Sequence, residues 1–376
     1  MIIGVDATNI SRGGGKTHLV EYINGSILEK NIKLIVWAPL STLESLPNHS
    51  RVVKKNNGFI NSNILIRIFW HLFFFRFELR KNNCDVLFAP GGSLIIDYYP
   101  SVTMSRNMLP FDENAKSLLG WSLKRLKFEL LKLVQINSMS KANGLIYLTN
   151  HAKEIIGNEL KFNPGRLEVV IPHGVNKKFV KLNSKSRDRN DGRIVITYVS
   201  IIDFYKHHSE VVQAVSFIRE NYAFDFELNL VGPHEAGPMK KLTKAISKYD
   251  PNSEWVHYLG EIAHDKLNLI YENTDFLLYA SSCENLPNIL LEMMASGRPC
   301  IVSDIPPNRE ILGSNGTYFN PYDPISIAEA LIEMATLPLK NIERTVVRNQ
   351  EIISNYKWEL TVKKTINFLN KIANEK

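Results

Sequence analysis

Short runs of aliphatic and β-branched residues alternate with helix-forming stretches, and they do so in two series separated by a polar break. In the first series IIGVDAT, KLIVWAP, DVLFAP, SVTMS, GLIYLT and VVIP each end in turn residues or run into a helical stretch. In the second, RIVITYVS, FELNLVG, WVHYLG, DFLLYAS and PCIVSD are separated by SEVVQAVSFIREN, HDKLNLIYENT and PNILLEMMASG. Strands that are apolar throughout must be covered on both faces, as happens in parallel sheets packed between helices. The expected fold is therefore α/β: two Rossmann-like doubly wound domains facing across a cleft, with ligands beyond the carboxyl ends of the strands. Residues 177–192, with NSKSRDRNDG at their centre, read as the linker. The first domain is expected over 1–176 and the second over 177–356. The last segment, 357–376, contains the amphipathic TVKKTINFLNKIANEK and no further strand, so it is expected to return to the first domain as a closing helix.

A chain of 376 residues suits two such cores. Its three cysteines, Cys84, Cys283 and Cys300, form no CxxC pair, which argues for a reducing cytosol and against a disulfide framework or structural zinc. The opening MIIGVDATNI reads as a strand, not a leader, and no run of 18 apolar residues is present. A cytoplasmic location is expected. Charge is uneven: residues 1–180 hold 23 Lys and Arg against 13 Asp and Glu, whereas the remainder hold 22 against 25. Only the first half therefore suits an anionic surface.

Residues 281–304, SSCENLPNILLEMMASGRPCIVSD, carry the strongest chemical signal. A strand ends, a turn holds Glu284, Asn285 and Leu286, Pro287 opens a helix, and Gly297 closes it. The start of such a helix offers backbone N–H groups and partial positive charge to a phosphate. Pro287 has no N–H, so the donors would be those of Leu286, Asn288 and Ile289. Glu284 and Glu292 would accept hydrogen bonds from sugar hydroxyls on either side; the alternative is two ordinary surface and helix glutamates.

The stretch resembles the donor-site signature of the retaining glycosyltransferases of family 4, which have the GT-B fold. Glu284, Leu286, Pro287, Leu290, Leu291, Glu292, Met294, Ala295, Gly297, Pro299 and Ile301 match it, and similarity continues through Ser303–Asp304, Glu310 and Asn320–Pro321–Tyr322–Asp323. The resemblance implies that Glu292 binds the nucleotide ribose and Glu284 the transferred sugar. It places Lys206, in YVSIIDFYKHH, on the lysine that grips the diphosphate. The arginine of that motif is replaced by Ile201, and Ser200 stands at its glycine, which leaves open a different diphosphate grip, a weaker donor site or reduced activity.

Three further segments belong to the same comparison. In NISRGGGKTHLVEYI, glycines between strand and helix allow an anion to approach the backbone, and the resemblance points to Gly14 and Gly15. A P-loop is excluded because its first glycine position is Ile10. In PSVTMSRNMLPFDEN, Arg106 falls where relatives carry a histidine that touches the donor sugar. It would do the same, meet an anionic acceptor group, or serve as a structural loop arginine. IPHGVNKKF matches the interdomain stretch, so His173 reads as a hinge residue and not a base.

No histidine spacing suits a metal and no Asp-x-Asp occurs, the nearest being Asp225-Phe-Glu227; no metal or other cofactor is expected. The resemblance implies retaining transfer of a sugar from a nucleotide diphosphate sugar to an acceptor hydroxyl. The setting would be lipopolysaccharide O-antigen or capsule assembly, with a lipid-linked saccharide as acceptor and no nucleic acid partner. The same architecture would also serve a sugar-nucleotide epimerase, a phosphorylase or a non-catalytic scaffold. Two stretches bear on the membrane. Residues 63–81, NILIRIFWHLFFFRFELRK, lead straight into DVLFAP and are expected to bury their apolar face in the domain core. Residues 117–134, SLLGWSLKRLKFELLKLV, with Lys124, Arg125, Lys127 and Lys132, either do the same or lie peripherally in an anionic headgroup plane.

Overall fold

The computed structural model describes residues 1–11, 13–161, 163–180 and 192–375. The centre of the expected linker, residues 181–191, lies outside the described residues. Just before it, Lys177–Phe179 form a short 3-10 turn whose Phe179 is fully buried. Two compact units are present. One comprises Met1–Phe111, Trp121–Gly174 and Lys357–Lys376, the other Asp112–Gly120 and Val175–Tyr356. Residues 112–120, which the sequence reading leaves in the first half, thus cluster with the second unit.

The first unit holds seven parallel strands, β1 (Ile2–Asp6), β2 (Lys33–Trp37), β3 (Val52–Lys55), β4 (Val86–Ala89), β5 (Ser101–Met104), β6 (Gly144–Tyr147) and β7 (Leu167–Val170). Their spatial order is β3-β2-β1-β4-β5-β6-β7. The second holds β8 (Ile194–Val199), β9 (Phe226–Val231), β10 (Val256–Gly260), β11 (Phe276–Tyr279), β12 (Cys300–Ser303) and β13 (Thr317–Phe319), ordered β10-β9-β8-β11-β12-β13. Central strands such as β4, β8 and β11 are buried at every residue, in keeping with their unbroken apolar sequence. The two strands that apolar runs did not announce, β3 and β13, are short and lie at sheet edges, where most of their residues are only partly buried. In each sheet the order reverses once, between β1 and β4 and between β8 and β11, and such switch points leave a crevice beyond the strand ends.

Two local readings are corrected. The glycines after β1 are not loop: the helix runs from Gly13 to Ser26, so Gly14 and Gly15 lie in its first turn, and only Gly13 has the left-handed φ of +63°. The helix after β11 begins at Asn288, with Pro287 as its cap and not its first residue.

The stretch at 63–81 is helical, capped by the Asn63 side chain and containing a π turn at His71–Phe75. It buries Trp70, Phe75 and Leu79 but leaves Leu65, Phe69, Leu72, Phe73 and Phe77 exposed, which corrects the expectation that its apolar face is spent on the core. The reason is excess: a helix apolar on nearly all sides can bury only the side that meets the sheet. The second stretch is interrupted at Gly120 and resumes as Leu123–Lys141, capped by Ser122. Its Leu123, Leu126, Leu130 and Leu133 are exposed, as is Trp121.

The closing helix, Trp358–Asn374, packs in the first unit on the helix Gly13–Ser26 and on β4, β5 and β6. Its approach is close enough that a Cβ on Gly144 would lie 2.9 Å from Phe368. Where the chain enters it, a Cβ on Gly174 would lie 2.2 Å from the backbone nitrogen of Trp358. Backbone cannot yield as a flexible side chain can, so Gly174→Ala is expected to destabilise the first unit by about 1–3 kcal/mol, the usual cost of overpacking. Thermal and denaturant melts of parent and variant measure this.

Candidate functional site

The second unit gathers its charge at the switch point between β8 and β11. Lys206 lies on the loop after β8, and Glu284 on the loop after β11, so the parallel pairing of these strands sets them face to face. The Lys206 ammonium pairs with Glu284 Oε1 and donates to the Tyr279 hydroxyl at 2.9 Å. The same Oε1 accepts from Tyr279 Oη and Ser281 Oγ, each at 2.6 Å. Lys206 is buried, and its ammonium lies 4.8 Å from the ring centroids of both Tyr205 and Tyr279. A lysine has three N–H donors, and two are committed here. None of these bonds reaches Oε2 of Glu284. Burial, reinforced by the Glu284 carboxylate, drives the Tyr279 phenol far up, so it remains a donor.

Downstream of Glu284, the helix Asn288–Ala295 starts without any side-chain cap, so its first amides are not satisfied in that way. Asn285 and Leu286 are buried ahead of it, Pro287 is extended, and Asn288 carries a buried Oδ1 with no partner among the described residues. Ile289 follows in the first turn. Glu292, one turn on, is buried. Its Oε1 is 2.7 Å from His264 Nε2, and Lys178 Nζ is 3.2 Å from His264 Nδ1. An ammonium only donates, so Nδ1 accepts and Nε2 carries the hydrogen given to Glu292. The other oxygen of Glu292, Oε2, is buried and unpartnered among the described residues. A buried carboxylate oxygen without a donor costs free energy until a ligand hydroxyl supplies one.

Around Lys206, Ile201 presents an aliphatic side chain, and Ser200 Oγ lies 3.1 Å from His208 Nε2. His207 adopts the left-handed conformation, φ +47°, and caps the helix His208–Asn221. His207 and His208 separate, one against Tyr322 and the other stacked on Tyr198 at 4.5 Å. Burial holds them down at about 4 and about 3, so both are neutral at neutral pH. A cavity of about 350 Å³ opens beside this loop, lined by Ile202, Phe204, His207, Glu210, Lys241 and Tyr322. Asp112, on the segment contributed by the first half, interacts with Cys283 next to Glu284.

In the first unit, Gly15 and Arg106 come together: a Cβ on Gly15 would lie 3.1 Å from Arg106 Nη1. Gly14 precedes it on the exposed first turn. Burial pulls the Arg106 guanidinium down to about 10. His18 and His173 are buried nearby with ring centroids 4.8 Å apart, and burial, aided by Arg106, keeps both neutral.

Tyr279, Ser281, His264 and Lys178 were not anticipated as site residues. Tyr279 and Ser281 flank the motif and looked like the end of a strand; His264 and Lys178 are remote in sequence and carry no local signal. Asp225 and Glu227 are tied up with Arg193 and Arg219. Among the described residues no group of three or more His, Cys, Asp or Glu side chains is placed to hold a metal ion.

Residues 180–351 match the family model for glycosyl transferases group 1. An O-antigen chain mannosyltransferase of Salmonella typhimurium is 36% identical over 83 residues, 22% of this chain and 24% of that one. Matches to three curated relatives span only 24%, 46% and 35% of those proteins' length. Among solved structures, a sucrose-phosphate synthase from Thermosynechococcus elongatus superposes with a TM-score of 0.79 at 14% identity, covering 100% of both chains. An Anabaena protein, HepE, solved with UDP and glucose, gives 0.71 at 17% identity, covering 98% of this chain and 99% of that one. The chain has the GT-B fold, and its residues 180–351 are similar to the glycosyl transferases group 1 family.

Proposed function

We propose that the protein is a retaining glycosyltransferase that moves a sugar from a nucleoside diphosphate sugar to an acceptor hydroxyl. The observation that carries this reading is Glu292: buried, oriented by His264 through one oxygen, and left with an unpartnered second oxygen behind an uncapped helix start. A ribose diol satisfies that oxygen, and the diphosphate then meets the first amides of the helix and the remaining N–H of Lys206. Glu284 keeps Oε2 for the transferred sugar. The family match of the second unit and the HepE complex with UDP and glucose support it.

In the reaction the bond from the anomeric carbon to the diphosphate oxygen breaks, and the acceptor oxygen bonds to that carbon on the same face. Its proton passes to the departing diphosphate. Lys206 and the helix amides stabilise the charge that grows on the leaving group, a preorganised electrostatic role. We further read the acceptor as a lipid-linked saccharide of cell-surface polysaccharide assembly, a reading to which the similarity to the O-antigen mannosyltransferase contributes. The first unit would then sit on an anionic bilayer. The exposed Leu65, Phe69, Leu72, Phe73 and Phe77, and the stripe Leu123, Leu126, Leu130 and Leu133 beside Trp121, are interleaved with Arg67, Arg76, Lys124, Arg125 and Lys127. Apolar helix faces rimmed by basic side chains suit a headgroup plane, each cation adding about 1 kcal/mol near an anionic surface.

Titration calorimetry with UDP and GDP tests the donor site. Glu292→Ala is expected to weaken binding of the preferred nucleotide about 10- to 100-fold, the loss of a charged hydrogen bond, while Glu284→Gln leaves it within a few-fold and removes transfer. Equal nucleotide affinity in the Glu292 variant and the parent defeats the ribose assignment. Transfer is expected to persist in excess EDTA, since Lys206 is assigned the charge a metal would otherwise bring; loss restored by a divalent cation refutes that. Finally, the protein is expected to co-sediment with phosphatidylglycerol vesicles at low salt and much less at high salt, and less again as Phe69→Ser/Phe73→Ser/Phe77→Ser. Failure of the parent to pellet, or equal pelleting of the variant, removes the membrane and favours a soluble acceptor.

A further inference from the structure

Arg106 is a half-buried cation that the protein does not neutralise. Among the described residues no hydrogen bond and no carboxylate reaches its guanidinium, and its Nε is sealed from solvent without a partner. Burial is the sole cause of its lowered proton affinity, and at about 10 it stays charged at neutral pH. The neighbouring imidazoles do not compensate. His18 and His173 are 1% and 2% exposed, each keeps a buried Nδ1 with no partner, and each is neutral. They form a dry wall against Trp358, whose ring centroid lies 5.8 Å from His18 and 5.5 Å from His173. A half-buried charge with no counter-ion inside the chain is stabilised when a group from outside pairs with it. The Nη edge is where such a group would dock. It lies against Gly15, in the first turn of the helix Gly13–Ser26, where the missing side chain leaves the edge unobstructed and the helix dipole favours negative charge.

We propose that the Nη edge of Arg106, with the helix start at Gly15, is a binding site for an oxyanion, a carboxylate or phosphoryl group carried by the acceptor saccharide. A planar guanidinium takes either group through two parallel hydrogen bonds, which a lysine cannot reproduce. Only the word acceptor rests on the glycosyl-transfer reading; the anion site stands or falls on binding alone.

The test is titration calorimetry at low ionic strength with three probes: D-glucuronate, inorganic phosphate and neutral D-glucose. The parent is expected to bind at least one anion and to prefer glucuronate over glucose. Tighter binding of glucuronate assigns the acid to a uronic sugar, and tighter binding of phosphate assigns it to a phosphorylated acceptor. Arg106→Gln is expected to weaken the favoured anion at least about 10-fold, and Arg106→Lys by several-fold, through loss of the bidentate contact. Gly15→Ala, which places an alanine in a helix and so should fold, is expected to weaken it too by crowding Nη1. Lys206→Ala controls for phosphate captured by the second unit and is expected to bind the favoured anion as the parent does. The proposal is overturned if the parent binds neither anion or binds glucose as tightly as glucuronate. It also falls if a folded Arg106→Gln protein retains its affinity, if Arg106→Lys and Gly15→Ala both bind as the parent does, or if the affinity is lost with Lys206→Ala instead.

Discussion

Strands β8 and β11 lie side by side while their connections leave in opposite directions, and the polar arrangement of the second unit depends on that reversal. Because no helix crosses the gap above these two strands, the loops that follow them are free to bring functional groups together. Lys206 arrives from one strand and Glu284 from the other, separated by 78 residues in sequence yet joined in an ion pair. The helix that follows β11 starts four residues after Glu284, with no side-chain cap. Strand pairing thus does the positioning, and the loops need only short side-chain reach.

The ion pair at this point is not an obvious stabiliser. Burying a lysine and a carboxylate costs several kcal/mol per ion, and a well-packed apolar pair is often as good or better. Here the cost is offset by Tyr279 and Ser281, which add hydrogen bonds to the same carboxylate oxygen. The result is a carboxylate whose Oε1 takes all three of these bonds, beside an ammonium with one donor remaining. Glu292 repeats the pattern with His264 and Lys178 in the supporting roles. Each glutamate is held by one oxygen and offers the other, an arrangement that fixes rotamers before a ligand arrives and lowers the entropic cost of binding.

Two positions set the placement of cationic groups, Ile201 in the second unit and Arg106 in the first. Ile201 removes a guanidinium from the loop after β8, which leaves Lys206 and the helix amides as the cationic groups identified there. Arg106 introduces one in the first unit, where it stands without a counter-ion among the described residues.

The sequence by itself determined the α/β class and the two series of strands. The reason is that these features are local: apolar runs must be buried on both faces, whatever else surrounds them. Lys206 was singled out only by its place in the resembled motif, since a lone lysine after a strand reads equally as a solvated loop charge. The tertiary structure decided the rest. That Tyr279 and Ser281 converge on Glu284 follows from the bend after β11, and that His264 and Lys178 support Glu292 follows from packing between segments far apart in the chain. The edge strands β3 and β13 are held by pairing with a neighbour and not by apolar content, so no local pattern marks them. How much of the helix at 63–81 is covered was likewise unreadable, because burial of a helix that is apolar on nearly every side depends on how much partner surface the sheet provides. The isolation of Arg106 is of the same kind: a missing counter-ion is a property of the surroundings in space, and a sequence records only the arginine.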